Sequence, residues 1–253
     1  MKIDNTVAVI TGGASGLGEA TVRELVSRGG KAIIADINED EGQALSEALG
    51  EHAIFRKTDV TSEQDVADTL DAGIDAFGAV NAAINFAGIA VAVKTLGKEG
   101  PHPLKLYQKV IDINLIGTFN VSRLASERMQ KNTANEDGEL GVIVNTASVA
   151  AYDGQKGQPA YAASKAGVAG LTLPMARDLA SYGVRVNTIA PGLFLTPMLS
   201  ALPEEALQAL EQQPLFPQRL GKPQEIAKLA CFMIECAYLN AEVIRLDGGI
   251  RLP

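Results

Sequence analysis

The 253-residue chain is poor in aromatic residues, which make up 5% of it, and it has no tryptophan, two cysteines and two histidines. Cys231 and Cys236 lie in an apolar helical stretch without neighbouring ligands, so we expect two core or half-buried thiols rather than a disulfide framework or a metal site. A core of Ala, Val, Ile and Leu suits a parallel sheet that is covered by helices on both faces.

Basic residues are also scarce, with Lys+Arg 22 against Asp+Glu 30 and a net charge of -8. This balance gives no global attraction to nucleic acid, so no nucleic-acid partner is predicted. No apolar run approaches the roughly 18 residues that a membrane helix needs. Met1–Asn5 leads directly into a strand and leaves no room for a targeting segment. We expect a cytoplasmic protein without a membrane partner.

Strand-like and helix-like patterns alternate along the chain, which predicts an α/β fold with a Rossmann-like, doubly wound parallel sheet of about seven strands and helices on both faces. No repeat or linker divides residues 1–253, so we expect a single domain. The predicted strands are Val7–Thr11, Lys31–Asp36, Ala53–Lys57, Ala82–Asn85, Gly141–Thr146, Arg185–Ala190 and Val243–Leu246. The predicted helices are Gly16–Arg28, Glu41–Leu49, Ser62–Phe77, Leu104–Gln130, Tyr161–Ser181 and Pro223–Cys236.

Three segments interrupt this alternation. Lys94–Pro103 is polar and rich in turn residues, which predicts an inserted loop, and the polar stretch Asn132–Glu139 predicts a surface loop. Residues 192–216 mix Pro, Leu and Phe without clean periodicity. Because apolar irregular segments of that length often act as lids, we expect a substrate lid there.

A glycine-rich turn, Thr11–Gly18, follows the first strand and opens the first helix. Gly12, Gly16 and Gly18 would let the backbone turn sharply and approach a pyrophosphate, and the helix would aim its N–H groups at the phosphates. The spacing differs from G-x-G-x-x-G. Its position between strand and helix is the context that indicates a dinucleotide site.

Asp36 ends the second strand, where a carboxylate can accept hydrogen bonds from the adenosine ribose and would repel a 2′-phosphate. The glycine turn contains no Arg or Lys that could attract such a phosphate. Both features favour NAD(H) over NADP(H). Asp59–Val60 and Asn85–Gly88 follow the third and fourth strands, at the same carboxyl edge of the sheet.

Tyr161 and Lys165 are four residues apart on a predicted helix, so their side chains share one face. A free tyrosine has a pKa near 10, and a nearby ammonium and a cationic nicotinamide would both lower it. Ser148 follows the fifth strand, where its hydroxyl could hold a substrate oxygen beside the tyrosine. A lone Tyr-x-x-x-Lys is more often structural, but behind a nucleotide loop the combination indicates proton transfer to or from an alcohol.

Over nearly its whole length the sequence resembles the short-chain dehydrogenase/reductase superfamily. The resemblance implies that Ser148, Tyr161 and Lys165 are catalytic and that Asn114 supports a water chain to the lysine. Phe86 is a departure, since many members have a second asparagine there. The matching residues are Thr11–Gly18, Asp59–Val60, Asn85–Gly88, Asn114, Ser148, Tyr161–Lys165 and Pro191–Gly192. The expected cofactor-binding residues are Gly12, Ser15, Gly16, Leu17, Gly18, Asp36, Asp59, Val60, Asn85, Phe86, Ala87, Gly88, Tyr161, Lys165, Pro191, Gly192, Phe194 and Thr196.

Longer stretches resemble a group within that superfamily, the type II 3-hydroxyacyl-CoA dehydrogenases. This resemblance implies NAD-linked oxidation of a 3-hydroxyacyl-CoA in fatty acid metabolism, an acyl-CoA partner and a homotetramer. The stretches are Ala8–Gly18, Ala87–Ala92, Asn145–Ala151, Ile189–Phe194 and Glu242–Gly248.

Further residues are candidates for the substrate side, together with Ser148 and Tyr161. Gln155 and Gln158 could hydrogen-bond an acyl carbonyl, although a solvated loop explains them equally well. Lys94 and Lys98 could meet CoA phosphates, yet exposed loop lysines usually bind nothing specific. The residues expected to line an apolar lid, with core packing as the alternative, are Leu193, Phe194, Leu195 and Met198.

Other functions stay open at this point. The same chemistry could act on a hydroxysteroid, a polyol or a 3-ketoacyl group on acyl carrier protein, although Asp36 argues against the NADPH that the last of these usually needs. A non-catalytic nucleotide-binding scaffold would tend to lose Tyr161 or Lys165, and the chain keeps both.

Overall fold

The computed structural model describes residues 1–200 and 203–252, without the side chains of Met198 and Ser200. Its main sheet has seven parallel strands in the order β3-β2-β1-β4-β7-β8-β9. The predicted doubly wound α/β fold in one domain is therefore confirmed. The strands are β1 Val7–Thr11, β2 Lys31–Asp36, β3 Ala53–Lys57, β4 Ala82–Asn85, β7 Gly141–Thr146, β8 Val184–Pro191 and β9 Val243–Leu246, and β5 Leu96–Gly97 pairs with β6 Gly100–Pro101 in a separate hairpin.

Helices cover both faces of the sheet, because successive strand residues point to opposite sides. Ala8 and Ile10 of β1 belong to one buried cluster and Val7 and Val9 to the other. The described helices are α1 Gly16–Ser27, α2 Glu39–Leu49, α3 Glu63–Phe77, α4 Leu104–Ile111, α5 Thr118–Met129, α6 Pro159–Leu179, α7 Pro197–Ser200, α8 Glu204–Glu211 and α9 Pro223–Glu235. Leu25 of α1 and Ile226 of α9 pack in the first cluster, and Leu70 of α3 and Val121 of α5 in the second.

The long helix predicted over Leu104–Gln130 is interrupted by a π-helical segment, Asp112–Gly117, between α4 and α5. Gly117 lies against Val60, and a Cβ there would come within 2.5 Å of the Val60 side chain. π-Helical turns are rare and are frequently found at functional sites. Apolar periodicity could not reveal this one, since its residues continue the helical pattern on both sides.

The segment predicted to be irregular, residues 192–216, contains α7 and α8. That part of the prediction is wrong, because Glu204–Glu211 consists of strong helix formers. Its first residues are also anchored: Leu195 N donates to Gly221 O (2.8 Å), and Gly221 N donates to Leu193 O (2.8 Å). The predicted inserted loop at 94–103 contains the short β5–β6 hairpin and is otherwise irregular chain.

The polar stretch Asn132–Glu139 has no helix or strand, but its last residue is not at the surface. Glu139 is buried and pairs with the buried Arg185 of β8 at 2.6 Å. Cys231 is buried and Cys236 half-buried, both as free thiols, as expected. Within residues 1–200 and 203–252, no helix is long and apolar enough to cross a membrane.

Candidate active site

The glycine turn between β1 and α1 forms a cradle that side chains would fill. Gly12 has a φ of +63°, and a Cβ there would come within 2.9 Å of Ala87 N. A Cβ on Gly18 would overlap the carbonyl oxygen of Gly12. Ser15 precedes α1 in an extended conformation, and its side chain does not cap the helix. The helix N-terminus formed by Gly16, Leu17 and Gly18 thus suits an anionic pyrophosphate.

Asp36 closes one side of this cradle at the end of β2. One carboxylate oxygen accepts a hydrogen bond from Ala14 N (3.0 Å) and the other accepts one from Asn38 N (3.0 Å). The carboxylate is half-buried and retains lone pairs for further donors, since each oxygen can accept two hydrogen bonds. Its position beside the glycine turn fits the ribose-binding role expected from the sequence.

The residues after β3 and β4 are divided between surface and core. Asp59 is exposed, and its carboxylate accepts hydrogen bonds from the amide and hydroxyl of Thr61 (2.9 and 2.7 Å). Val60 is buried. The Asn85 side chain points into the protein and donates to Asn145 Oδ1 (2.8 Å) and Ser122 Oγ (3.1 Å). We therefore expect Asn85 to support the sheet and to reach a cofactor only through its backbone.

The three residues after Asn85 run directly beside the glycine turn. Phe86 N donates to Thr11 O (3.1 Å), and Ala87 N donates to Thr11 Oγ1 (3.2 Å). The Phe86 ring packs against the buried cluster that includes Ala14. The apolar core thus accommodates a phenylalanine at position 86, where many family members have an asparagine. Gly88 continues the chain toward Asn114 and Lys165.

Ser148 and Tyr161 are brought together by β7 and α6. Ser148 follows β7, and its Oγ accepts a hydrogen bond from Ala150 N (3.1 Å), which caps a 3₁₀ turn over Val149–Ala151. A hydrogen bond also joins the side chains of Ser148 and Tyr161. The two hydroxyls can therefore bind one substrate oxygen between them, as the sequence predicts.

The pKa of Tyr161 is raised by burial, and the hydrogen bond from Ser148 lowers it by a smaller amount. The sequence predicts a lowering of this pKa by the ammonium of Lys165 and a cationic nicotinamide, and in the protein alone burial outweighs the ammonium. The Lys165 ammonium lies 5.8 Å from the centroid of the Tyr161 ring, and burial also lowers the pKa of Lys165 to about 8. The physical reason is that desolvation disfavours the charged form of both groups.

Lys165 is buried on α6 one turn after Tyr161, as its spacing requires. Its Nζ donates to the carbonyl oxygen of Thr146 at 2.7 Å, which fixes the long side chain toward the end of β7. Two donor positions of the ammonium remain for other partners. A Cβ on Gly88 would lie 3.6 Å from this Nζ, so the chain after β4 passes close beside it.

Asn114 lies in the π-helical segment and is fully buried. Its Oδ1 accepts from Ile89 N (2.8 Å), and its Nδ2 donates to Ile89 O (2.9 Å) and Ser164 Oγ (3.0 Å). Ser164 in turn donates to Tyr161 O (2.7 Å). Asn114 therefore connects the segment after β4 with α6. Ser164 was missed from the sequence, although it stands within the Tyr-Ala-Ala-Ser-Lys motif.

The residues after β8 approach the site from the other side. Pro191 ends β8, and Gly192 N donates to Leu246 O (2.9 Å). Thr196 lies beside the glycine turn, and a Cβ on Gly16 would be 3.7 Å from its methyl group. The Phe194 ring is buried against Gly221, so its side chain belongs to the core and only its backbone is free to meet a cofactor.

The expected substrate-side residues occupy two loops. Gln155 and Gln158 are half-buried, and Gln155 N donates to Gln158 Oε1 (3.0 Å), so one carboxamide already shapes its own loop. Leu193 is half-buried and Leu195 is exposed. The side chain of Met198 lies outside the described residues. Contact of these residues with a substrate stays a prediction.

Comparison with known proteins gives consistent findings. The family model described as short chain dehydrogenase matches residues 6–207. The 3-hydroxyacyl-CoA dehydrogenase type-2 of Homo sapiens is 53% identical over 99% of this chain and 97% of its own, and that of Drosophila melanogaster is 52% identical over 99% of both. The crystal structure of 3-hydroxyacyl-CoA dehydrogenase type-2 from Mycobacterium avium has a TM-score of 0.96 at 44% identity, covering 99% of this chain and 98% of that one.

Proposed function

Because the chain belongs to the short chain dehydrogenase family of oxidoreductases, we propose that it oxidises the secondary alcohol of a 3-hydroxyacyl-CoA to a ketone with NAD⁺. The observation that carries the reaction type is the hydrogen-bonded Ser148–Tyr161 pair with Lys165 on the next turn of α6. Support for the acyl-CoA comes from the names of the relatives that match the full chain. A nicotinamide cofactor follows from the family.

The site residues divide the work of proton transfer. Ser148 holds the substrate hydroxyl and stabilises the oxygen as its carbonyl forms, and Tyr161 in its phenolate form accepts the proton. When bound, an oxidised nicotinamide supplies the hydride acceptor and a positive charge that favours the phenolate. Lys165 would hold the ribose of that cofactor with its free donors and favour the phenolate further. Asn114 is proposed to lead the proton to solvent through a water chain.

The residues of the cradle fit a dinucleotide. The glycine backbone and the N-terminus of α1 would receive the pyrophosphate, and Asp36 the adenosine ribose. The proposed preference for NAD⁺ rests on the negative charge of Asp36, which would repel a 2′-phosphate. The remaining cofactor residues proposed from the sequence lie at or after the carboxyl ends of β3, β4 and β8 or on α6.

We expect Asp36→Asn to relax this preference. The amide keeps an acceptor for Ala14 N but loses the charge, so KM for NAD⁺ should rise about tenfold as a charge-assisted hydrogen bond worth about 1.5–3 kcal/mol weakens. Discrimination against NADP⁺ should fall by at least the same factor. Steady-state kinetics with NAD⁺ and with NADP⁺ measure this preference. An unchanged ratio of the kcat/KM values for the two cofactors would contradict the role of Asp36. Asp40→Asn, on the exposed start of α2, is the control.

The substrate is tested by comparing three alcohols in one NAD⁺ reduction assay. 3-Hydroxybutyryl-CoA and its 2-methyl analogue should be oxidised with higher kcat/KM than a hydroxysteroid. A preference for the hydroxysteroid would favour the alternative function, and a preference for an acyl carrier protein substrate with NADPH would favour the reductase. NADH binding without turnover of any alcohol would instead support the non-catalytic scaffold.

The inserted loop at 94–103 is proposed to meet the CoA. Val93 N donates to Gly157 O (2.7 Å), which places the start of this loop beside Gln155 and Gln158. We expect Lys98→Ala to raise KM for an acyl-CoA about two- to fivefold, in line with the 0.2–1 kcal/mol of an exposed charge pair. KM for a substrate without CoA should not change. An equal rise in KM for the acyl-CoA and for the substrate without CoA would contradict contact between Lys98 and the CoA. The same rise from Lys131→Ala, just beyond α5, would also contradict it.

Four further proposals complete the assignment. We propose a homotetramer, supported by exposed apolar side chains on the helices α5 and α6, such as Phe119 and Leu173, and tested by sedimentation. A role in fatty acid metabolism is proposed on the substrate, and the cytoplasmic location expected from the sequence stays a proposal. Residues 192–216 are proposed as the substrate lid, since they begin at the site and run past Gly16.

A further inference from the structure

Arg245 of β9 lies outside the catalytic set and links Asp153 with the residues that directly follow β9. Its Nη2 donates to Asp153 Oδ2 (2.7 Å) and to Ile250 O (3.0 Å), and its Nε donates to Asp247 Oδ2 (2.9 Å). The side chain of Arg245 is 22% exposed, and those of its acidic partners are 20% and 9% exposed. The planar guanidinium thus binds two carboxylates through different nitrogen atoms, a geometry that lysine cannot reproduce.

The first partner segment, residues 152–158, is called the substrate-side segment because it joins the 3₁₀ turn after Ser148 to α6. Asp153 N donates to Val149 O (2.9 Å) at the end of that turn. The Tyr152 ring lies below the guanidinium, with 5.3 Å between the Arg245 Cζ and the ring centroid. Arg245 therefore contacts two successive residues and fixes the start of the segment by charge and by stacking.

The rest of the substrate-side segment has fewer anchors. Gly157 O accepts a hydrogen bond from Val93 N, and Gln155 N donates to Gln158 Oε1, a contact within the segment itself. Lys156 between them is exposed. Without the Arg245 contacts, the start of the segment would keep only the backbone hydrogen bonds from Tyr152 N (3.0 Å) and Asp153 N (2.9 Å) to Val149 O. The rest would be held at Gly157 and where α6 begins.

The second partner segment lies behind the start of the proposed lid. Gly192 N donates to Leu246 O (2.9 Å), and a Cβ on Gly192 would come within 2.8 Å of the Asp247 Cα. Asp247 is itself held by Arg245 on one side and by Gly249 N (2.9 Å) on the other. The same guanidinium thus supports the first residue of the lid through Asp247.

We propose that Arg245 is a positioning residue for the substrate: it fixes the substrate-side segment relative to the start of the lid. It acts through Asp153 and Asp247 and does not touch the reacting atoms. The inference rests on the proposed function, because it takes residues 152–158 and the described start of the lid, residues 192–195, as the two walls of the substrate cleft. Ser148 and Tyr161 have their own anchors in β7 and α6, so the chemical step should depend little on Arg245.

The test separates substrate binding from the chemical step. Arg245→Met should raise KM for 3-hydroxybutyryl-CoA about tenfold, the loss that corresponds to one charged hydrogen bond. The kcat and the Kd for NADH should stay within about twofold of the wild type. Arg245→Lys should have a KM between those of the wild type and Arg245→Met. The double variant Arg245→Met/Asp153→Asn should have a KM no higher than that of the weaker-binding single variant, because both substitutions remove the same interaction. The matched control is Arg251→Met, which removes an exposed arginine that also reaches Asp247 (3.2 Å) but not Asp153.

A second measurement does not depend on the substrate. Trypsin should cleave native Arg245→Met after Lys156 several times faster than it cleaves the wild type or Arg251→Met, and a further Lys156→Gln change should abolish that cut. An unchanged KM, an equal fall in kcat, an equal effect of Arg251→Met or unchanged cleavage would each overturn the proposal. If the wild type oxidises no 3-hydroxyacyl-CoA, the proposed function fails on its own, while the cleavage pattern and the KM for whichever alcohol is oxidised still test Arg245.

Discussion

Tyr161→Phe should reduce kcat for alcohol oxidation by about 10² to 10⁴, the range that a positioned acid/base group contributes. The substitution removes only the hydroxyl that hydrogen-bonds with Ser148 and would accept the substrate proton. The ring stays, so α6 and the position of Lys165 should be preserved. Steady-state and single-turnover kinetics measure the loss, and NADH fluorescence titration should give a Kd within about twofold of the wild type.

The pH dependence provides a check on the same residue. Because burial raises the pKa of Tyr161, the phenolate is the minor form at neutral pH, and kcat/KM for oxidation should rise with pH in the wild type. The residual rate of Tyr161→Phe should lack this rise. Tyr152→Phe, an exposed tyrosine of the substrate-side segment, is the matched control and should keep both the kcat and its pH profile. A Tyr161→Phe enzyme with wild-type kcat would exclude Tyr161 as the acid/base.

The parts of the fold that sequence could predict are those that depend on neighbouring residues. The strands Val7–Thr11 and Ala82–Asn85 are short apolar runs with polar or glycine ends, and their bounds are confirmed. Tyr161 and Lys165 could be paired because four residues on a helix make one turn. The glycine turn is recognisable because its conformation is local, with a positive φ at Gly12.

The parts that could not be predicted depend on contacts between distant segments. Arg245 and Asp153 are 92 residues apart, and Glu139 and Arg185 are 46 apart, so neither pair leaves a pattern in sequence. The pKa direction of Tyr161 was likewise not predictable from Lys165, since burial comes from the whole site. The π-helical segment around Asn114 ends at Gly117, which packs against the distant residue Val60.

Arg185→Met should lower the free energy of unfolding by about 3–5 kcal/mol, the usual cost of breaking a buried ion pair from one side. Arg185 pairs with the buried Glu139 (2.6 Å) and donates to the carbonyl oxygens of Met233 (2.7 Å) and Ile234 (2.7 Å), at the end of α9. The substitution would leave a buried carboxylate and these carbonyls without that donor. Glu139 also accepts from Asn135 Nδ2 (3.0 Å) and keeps a second ion pair with the Met1 ammonium (3.0 Å), so the loss should lie at the lower end of the range.

The measurement is thermal unfolding at fixed protein concentration, where about 2–4 °C per kcal/mol gives a fall in Tm of at least about 6 °C. Arg28→Met is the matched control, because Arg28 also reaches the end of α9, through an exposed pair with Glu235 (2.6 Å). Exposed pairs contribute about 0–1 kcal/mol, so its Tm should change little. Equal shifts for the two variants would show that burial of the Arg185 pair is not what stabilises this end of the sheet. Glu139 and Arg185 lie at the end of the sheet opposite Tyr161. The folded fraction of Arg185→Met should therefore keep the wild-type KM for NAD⁺ and for the alcohol.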